Sequence, residues 1–194
     1  VYDNGKKISE LTWKTENIQL LNVGLEYNIK DRIFLSGDLK SNFTNNDMVM
    51  DDYDWSIANP NNEWSHWSHH DNTKVEDIKM LDVNAKYKFE ILPIYFGIGY
   101  KYENFEYKAY DGKYIYSSNP GFRDLTGTFS GLGITYEHTL KMPYLMVGAD
   151  LNVTQNLNIG ADLAYSNLAK FEDKDIHHFR NLEFKGDFDY TDYL

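Results

Sequence analysis

Apolar and polar residues alternate with a period of two along most of this chain, and no stretch sustains the 3.6-residue period of an amphipathic helix. The clearest run sets Leu81, Val83, Ala85, Tyr87, Phe89 and Ile91 against Asp82, Asn84, Lys86, Lys88 and Glu90. Leu21, Val23, Leu25, Tyr27 and Ile29 repeat the pattern against Asn22, Glu26 and Asn28. Leu157, Ile159, Ala161, Leu163 and Tyr165 do so against Asn158, Asp162 and Ser166. Weaker versions cover 33–39, 94–102, 132–140, 145–153 and 182–190. Successive side chains of a strand point to opposite faces, so each run reads as a strand with one apolar and one polar face. Counted from Ile18, with 132–140 and 145–153 as parts of one strand, they make seven strands, the last incomplete.

The connections alternate in length. Short turns fall at Lys30-Asp31-Arg32, Leu92-Pro93 and Thr154-Gln155-Asn156. Long polar loops are expected over 44–73, 111–130 and 172–181, on the other side. Short turns at one end and long loops at the other is the plan of an outer-membrane barrel. A soluble up-and-down barrel also alternates. Against it, the polar face carries Lys86, Lys88 and Glu90, which do not suit a closed apolar interior. Tyr27, Phe89, Tyr95 and Tyr144 gather near strand ends, as an interfacial girdle does. No apolar run approaches the ~18 residues of a membrane helix, whereas a barrel strand crosses with only ~9–11. A single all-β domain over 1–194 is expected: a transmembrane antiparallel up-and-down barrel. Such barrels close with even numbers of strands, so a strand before Val1 and more after Leu194 are expected, and Val1 to Lys14 reads as a loop.

Composition narrows the function. Aromatic residues make up 16% of the chain, 16 of them Tyr, and there are only 4 Pro, all of which favours strands. The formal charge of −11 argues against nucleic acid and suits a cationic substrate. With no cysteine, there is no disulfide and no thiolate metal site.

Two compact pairs sit in the long loops: Asp52 with Asp54, and Asp175 with His177. Spacing of two on an extended segment puts both members on one face. Four strand crossings separate the pairs, so both emerge at the same end of the barrel, where they can face each other across its mouth. Asp175 would then orient His177 as a general base for a water held by Asp52 and Asp54. Acidic residues are also ordinary in exposed loops. A rival is metal binding by His66, His69 and His70, because imidazole beside carboxylate suits zinc and other transition metals.

Longer motifs resemble the omptin family of outer-membrane proteases. Met48-Val49-Met50-Asp51-Asp52-Tyr53-Asp54-Trp55, Ala58-Asn59-Pro60, and Ser68 with His70 resemble one loop of that family. Tyr114-Ile115-Tyr116-Ser117-Ser118, Gly121-Phe122-Arg123-Asp124 and Leu140-Lys141-Met142-Pro143-Tyr144 resemble its most recognisable stretches. The similarity begins at Val1-Tyr2, passes through Leu11-Thr12-Trp13-Lys14 and continues to about Arg180. It implies a ten-stranded barrel, of which this chain holds about seven strands. It also implies a monomeric aspartic-type endopeptidase in the bacterial outer membrane, with its active site facing the exterior. The implied site is the pair Asp52 and Asp54 with the dyad Asp175 and His177, supported by Ser68 and His70. Asp173 would bind the basic side chain preceding the cut. The implied partners are peptides or proteins with basic residues and membrane lipid; no cofactor or metal is implied. The chain departs from the family's lipopolysaccharide-binding cluster: Tyr100 matches, but Tyr102, Asn104 and Thr139 do not. His66 stands where an aspartate would favour a basic residue after the cut.

Overall fold

The computed structural model describes residues 2–44, 47–58 and 61–193; Val1, Asn59 and Pro60, which carry part of the resemblance, lie outside them. The strands are β1 (Tyr2–Asp3), β2 (Lys6–Lys7), β3 (Ser9–Lys14), β4 (Leu20–Ile29), β5 (Ile33–Asn42), β6 (Asp47–Asp54), β7 (His66–Lys88), β8 (Ile94–Tyr116), β9 (Leu125–Thr154), β10 (Leu157–His177) and β11 (Leu182–Tyr193). Strands β1 and β2 form a small hairpin around Asn4 and Gly5, both at positive φ, as a tight hairpin turn requires. The other nine make one antiparallel sheet in the order β11-β10-β9-β8-β7-β5-β4, with β6 pairing both β7 and β3. Since β5 and β6 pair successive parts of β7, they act as one interrupted stave, and β3 continues β4 in the same way. The result is seven staves. Among the described residues, β4 and β11 are not paired to each other.

The faces follow the alternation. Leu81, Val83 and Tyr87 are 38%, 41% and 42% exposed, whereas Asp82, Asn84, Lys86 and Lys88 between them are half-buried on the inner face. Leu25, Ile98, Leu145 and Leu163 extend the apolar outer belt. Inside, Tyr144 Oη donates to Asp82 at 2.6 Å, and Lys86 lies over the Tyr95 ring at 5.4 Å. Burying such charges in lipid would cost several kcal/mol, so this face belongs inside.

Two aromatic expectations need correction. Tyr95 and Tyr144 are not girdle residues: both are buried and point inward with Met142 and Met146. Each covers a glycine on the neighbouring strand. A Cβ on Gly99 would sit 2.2 Å from the Tyr144 ring, and one on Gly148 would sit 2.3 Å from Tyr95. Tyr27 and Phe89 remain outside, and Phe89 meets Tyr87 and Phe96 edge to face.

The long loops are also corrected. The expected loop over 44–73 contains β6 and the start of β7; those over 111–130 and 172–181 contain the ends of β8 and β10 and the start of β9. Strands β7, β8 and β9 are 23, 23 and 30 residues long, well beyond the ~9–11 that span a membrane. Residues 9–14, read as loop, form β3 against β6. The reason is register. Bulges between Val75 and Asp77, between Ala109 and Gly112, and between Ser166 and Phe171 shift which residues face inward. The alternation is therefore broken in the sequence while the ladder runs on.

Candidate active site

Strand β6 brings Asp52 and Asp54 opposite Ser68 and His66 of β7. Asp52, Ser68 and His70 are all buried on the inner face. The His70 ring stacks on Phe129 with centroids 5.7 Å apart, and Phe129 stacks on Phe179. Gly112, at φ 139°, makes room for this ring: a Cβ there would sit 2.9 Å from His70 Nδ1 and 2.5 Å from the His69 carbonyl. Burial lowers the His70 pKa below its ordinary value, which keeps the ring neutral.

Strand β10 supplies the facing pair. His177 Nε2 lies 3.1 Å from Asp175 Oδ2, and the ring meets Phe184 of β11 edge-on. A one-turn 3-10 helix, His178–Arg180, follows and returns Arg180 towards the site. There Arg180 Nη2 contacts His177 Nδ1, and Nη1 lies 4.0 Å from Asp54 Oδ2. A guanidinium only donates hydrogen bonds, so Nδ1 is the acceptor and Nε2 carries the proton given to Asp175. The two ring nitrogens of His177 are thereby given opposite hydrogen-bonding partners.

Asp52, Ser68, His70, His177 and Arg180 line one cavity of about 30 Å³, enough for a water molecule. Burial pushes the Asp52 carboxyl up to about 7, and the charge of Asp54 pushes in the same direction; His177 and Arg180 oppose them. At neutral pH one acid here is poised between its two protonation states. Tyr116, also lining the cavity, is pushed up to about 12 chiefly by burial.

Asp173 shares the inner face with Asp175 and His177 but sits roughly 13 Å deeper along the strand than His177. Tyr136 Oη donates to it at 3.3 Å. Opposite lies Gly186, where a Cβ would come within 2.3 Å of Asp173 Oδ1. Tyr136 belongs to an aromatic tier with Trp13, Tyr107 and His138. The combination of a carboxylate with ring faces suits a long cationic side chain.

The structure thus brings Asp52, Ser68, His70 and His177 around one cavity, links Asp54 to it through Arg180, and sets Asp173 below. The histidine-rich segment does not converge. His66 meets Ser65 Oγ and Tyr116, His69 lies between Asp51 and Asp71 on the opposite face, and His70 enters the cavity. Among the described residues, no group of three or more His, Cys, Asp or Glu is placed to hold a metal ion. On the outer face Asn104 donates to Thr139 and Glu137, so two of the positions that depart from the lipid-binding pattern bind each other. Sequence reasoning missed Arg180 and the Phe129–Phe179 stack. Nothing in their local pattern marks them, because both depend on the turn after β10 folding back over β9.

The family model for the omptin family matches residues 1–194. The outer membrane protease IcsP of Shigella flexneri is 30% identical over 188 residues, covering 94% of this chain and 59% of that protein. Protease 7 of Escherichia coli K12 is 27% identical over 181 residues, covering 91% of this chain and 57% of that protein. The plasminogen activator of Yersinia pestis is 27% identical over 193 residues, covering 94% and 58% respectively. The chain therefore spans 57–59% of the length of these relatives. The crystal structure of the Escherichia coli outer membrane protease OmpT superposes with a TM-score of 0.82 at 25% identity, covering 97% of this chain and 65% of that one. With the apolar outer belt, the similarity to the outer membrane proteases IcsP and OmpT puts the protein in the outer membrane. A match along its whole length makes the chain a member of the omptin family.

Proposed function

We propose that this protein is an outer-membrane endopeptidase that cuts next to basic residues by activating a water, with its site on the outer side of the membrane. The observation that carries this is the water-sized cavity that Asp52 and His177 both line. His177 acts as general base, and Asp175 orients it and stabilises the imidazolium that forms. Asp52 and Asp54 hold the water. The protonated fraction of Asp52 can donate to the oxyanion that develops at the peptide carbonyl. Ser68, beside Asp52 in the β-ladder, and His70 shape the cavity. Asp173 receives the basic side chain that precedes the cut, in line with the −11 charge of the chain. No Gly-x-Ser-x-Gly elbow presents a serine and there is no cysteine, so no covalent acyl-enzyme is part of this reading.

The test is a fluorogenic peptide containing Arg-Arg, assayed on the intact membrane-embedded protein with and without chelator. Chelator-resistant cleavage is expected. Absence of cleavage would leave a non-catalytic barrel, and chelator-sensitive cleavage would point to metal chemistry.

A further inference from the structure

Among the described residues, Arg180 is the only Arg or Lys that lines the cavity, and it sits against His177 itself. Its Nη2 caps the Nδ1 lone pair of His177 while Nη1 faces Asp54, so one guanidinium bridges the two halves of the site. The other ring nitrogen is committed to Asp175 at 3.1 Å. In this arrangement His177 has no free lone pair with which to take a proton from water. A base must reach the proton it abstracts, so catalysis requires the guanidinium to leave.

Leaving is structurally cheap. Arg180 ends a 3-10 turn of only three residues, followed by Asn181 in the left-handed region at φ 49°, and its side chain is 43% exposed. No other ion pair of Arg180 is found among the described residues.

We propose that Arg180 is a specificity-determining latch: an internal cation that masks the general base and that a substrate's own cationic side chain displaces from the acidic cleft. The inference rests on the reading of His177 as the base. A cationic substrate entering near Asp54 and Asp173 competes for the same negative field and frees Nδ1. A neutral peptide offers no such exchange and must break the bridge at a loss. Selectivity for basic substrates then has two sources, the Asp173 pocket and the exchange at Arg180.

Two measurements on the intact protein test this, with Arg180→Gln and Arg180→Lys. The first, made without substrate, is the rate at which diethyl pyrocarbonate acylates His177, followed by peptide mapping; this reagent needs an unprotonated ring nitrogen with a free lone pair. Arg180→Gln is expected to label about three- to fivefold faster, the worth of one half-exposed ion pair, while Arg180→Lys stays near the parent. The second is kcat/KM for a peptide with Arg before the cut and for its citrulline counterpart. Arg180→Gln is expected to narrow the Arg/citrulline ratio about three- to fivefold, mainly through faster cleavage of the citrulline peptide. Unchanged labelling of His177 in Arg180→Gln would overturn the latch. So would loss of cleavage of both peptides with rescue by Lys, which would make Arg180 a stabiliser of the oxyanion. If no protein cleaves either peptide, the protease reading fails, yet the labelling still decides whether Arg180 masks the base.

Discussion

His177 holds its Nε2 atom 3.1 Å from Asp175 Oδ2 while its Nδ1 atom faces Arg180, so the two ring nitrogens have opposite roles. Asp175→Asn would offer the ring an amide in place of a charge and release the tautomer. Its kcat/KM on an Arg-Arg peptide is expected to fall on the order of 10²- to 10⁴-fold, as for His177→Ala. Ser68→Ala should stay within about tenfold of the parent, the scale of one lost hydrogen bond. Steady-state kinetics on the three variants checks this; a loss in Ser68→Ala as large as in His177→Ala would point instead to a serine nucleophile.

The raised Asp52 carboxyl gives a stability prediction with a definite sign. Its pKa rises from 3.8 in the unfolded chain to about 7 in the folded one, so the folded state binds the extra proton between those values. Stability from this residue is fully present below about pH 3.8 and is lost progressively as pH rises through about 7. Asp52→Asn should therefore match the parent in Tm near pH 3.5, gain on it steadily between about pH 4 and 7, and keep that advantage at pH 8. Thermal melts in one detergent across this range decide it, and a constant Tm difference would show that Asp52 is not the titrating group.

Asp54 is the second cause of that shift, after burial. Asp54→Asn should move the Asp52 titration to lower pH, and the pH dependence of the Asp52→Asn stabilisation should move with it. Melts of the single and double variants measure the coupling.

Asp173 lies below the dyad with Tyr136 Oη at 3.3 Å. Asp173→Asn is expected to lower kcat/KM for peptides with a basic residue before the cut by about ten- to a hundredfold, with little change for neutral ones. Equal loss on both peptides would remove Asp173 from the specificity pocket.

Gly99 lies beneath the Tyr144 ring, where a Cβ would meet it at 2.2 Å. Gly99→Val should displace that ring, break its bond to Asp82 and destabilise the barrel by about 1–3 kcal/mol. Heat-dependent gel mobility reads this directly, and an unchanged transition would mean that the ring has another place to go.

The strands that cross the membrane were legible in the sequence because each strand has two different solvents. Leu81 and Val83 meet lipid while Asp82 and Asn84 meet the polar interior, so the period of two is written without a break. Above the membrane that constraint relaxes, bulges shift the inward phase, and the same ladder reads as loop over 44–73 and 111–130. Spacing put Asp52 with Asp54 and Asp175 with His177 each on one face, the parity of strand crossings put both pairs at one end, and the family resemblance singled them out. Which nitrogen of His177 meets Arg180, how far Asp52 is raised, and that Arg180 stands between the halves were not legible. The first depends on the turn that folds Arg180 back onto the ring, and the others on burial and on residues more than a hundred positions apart, which only the folded sheet brings within a few ångströms of each other.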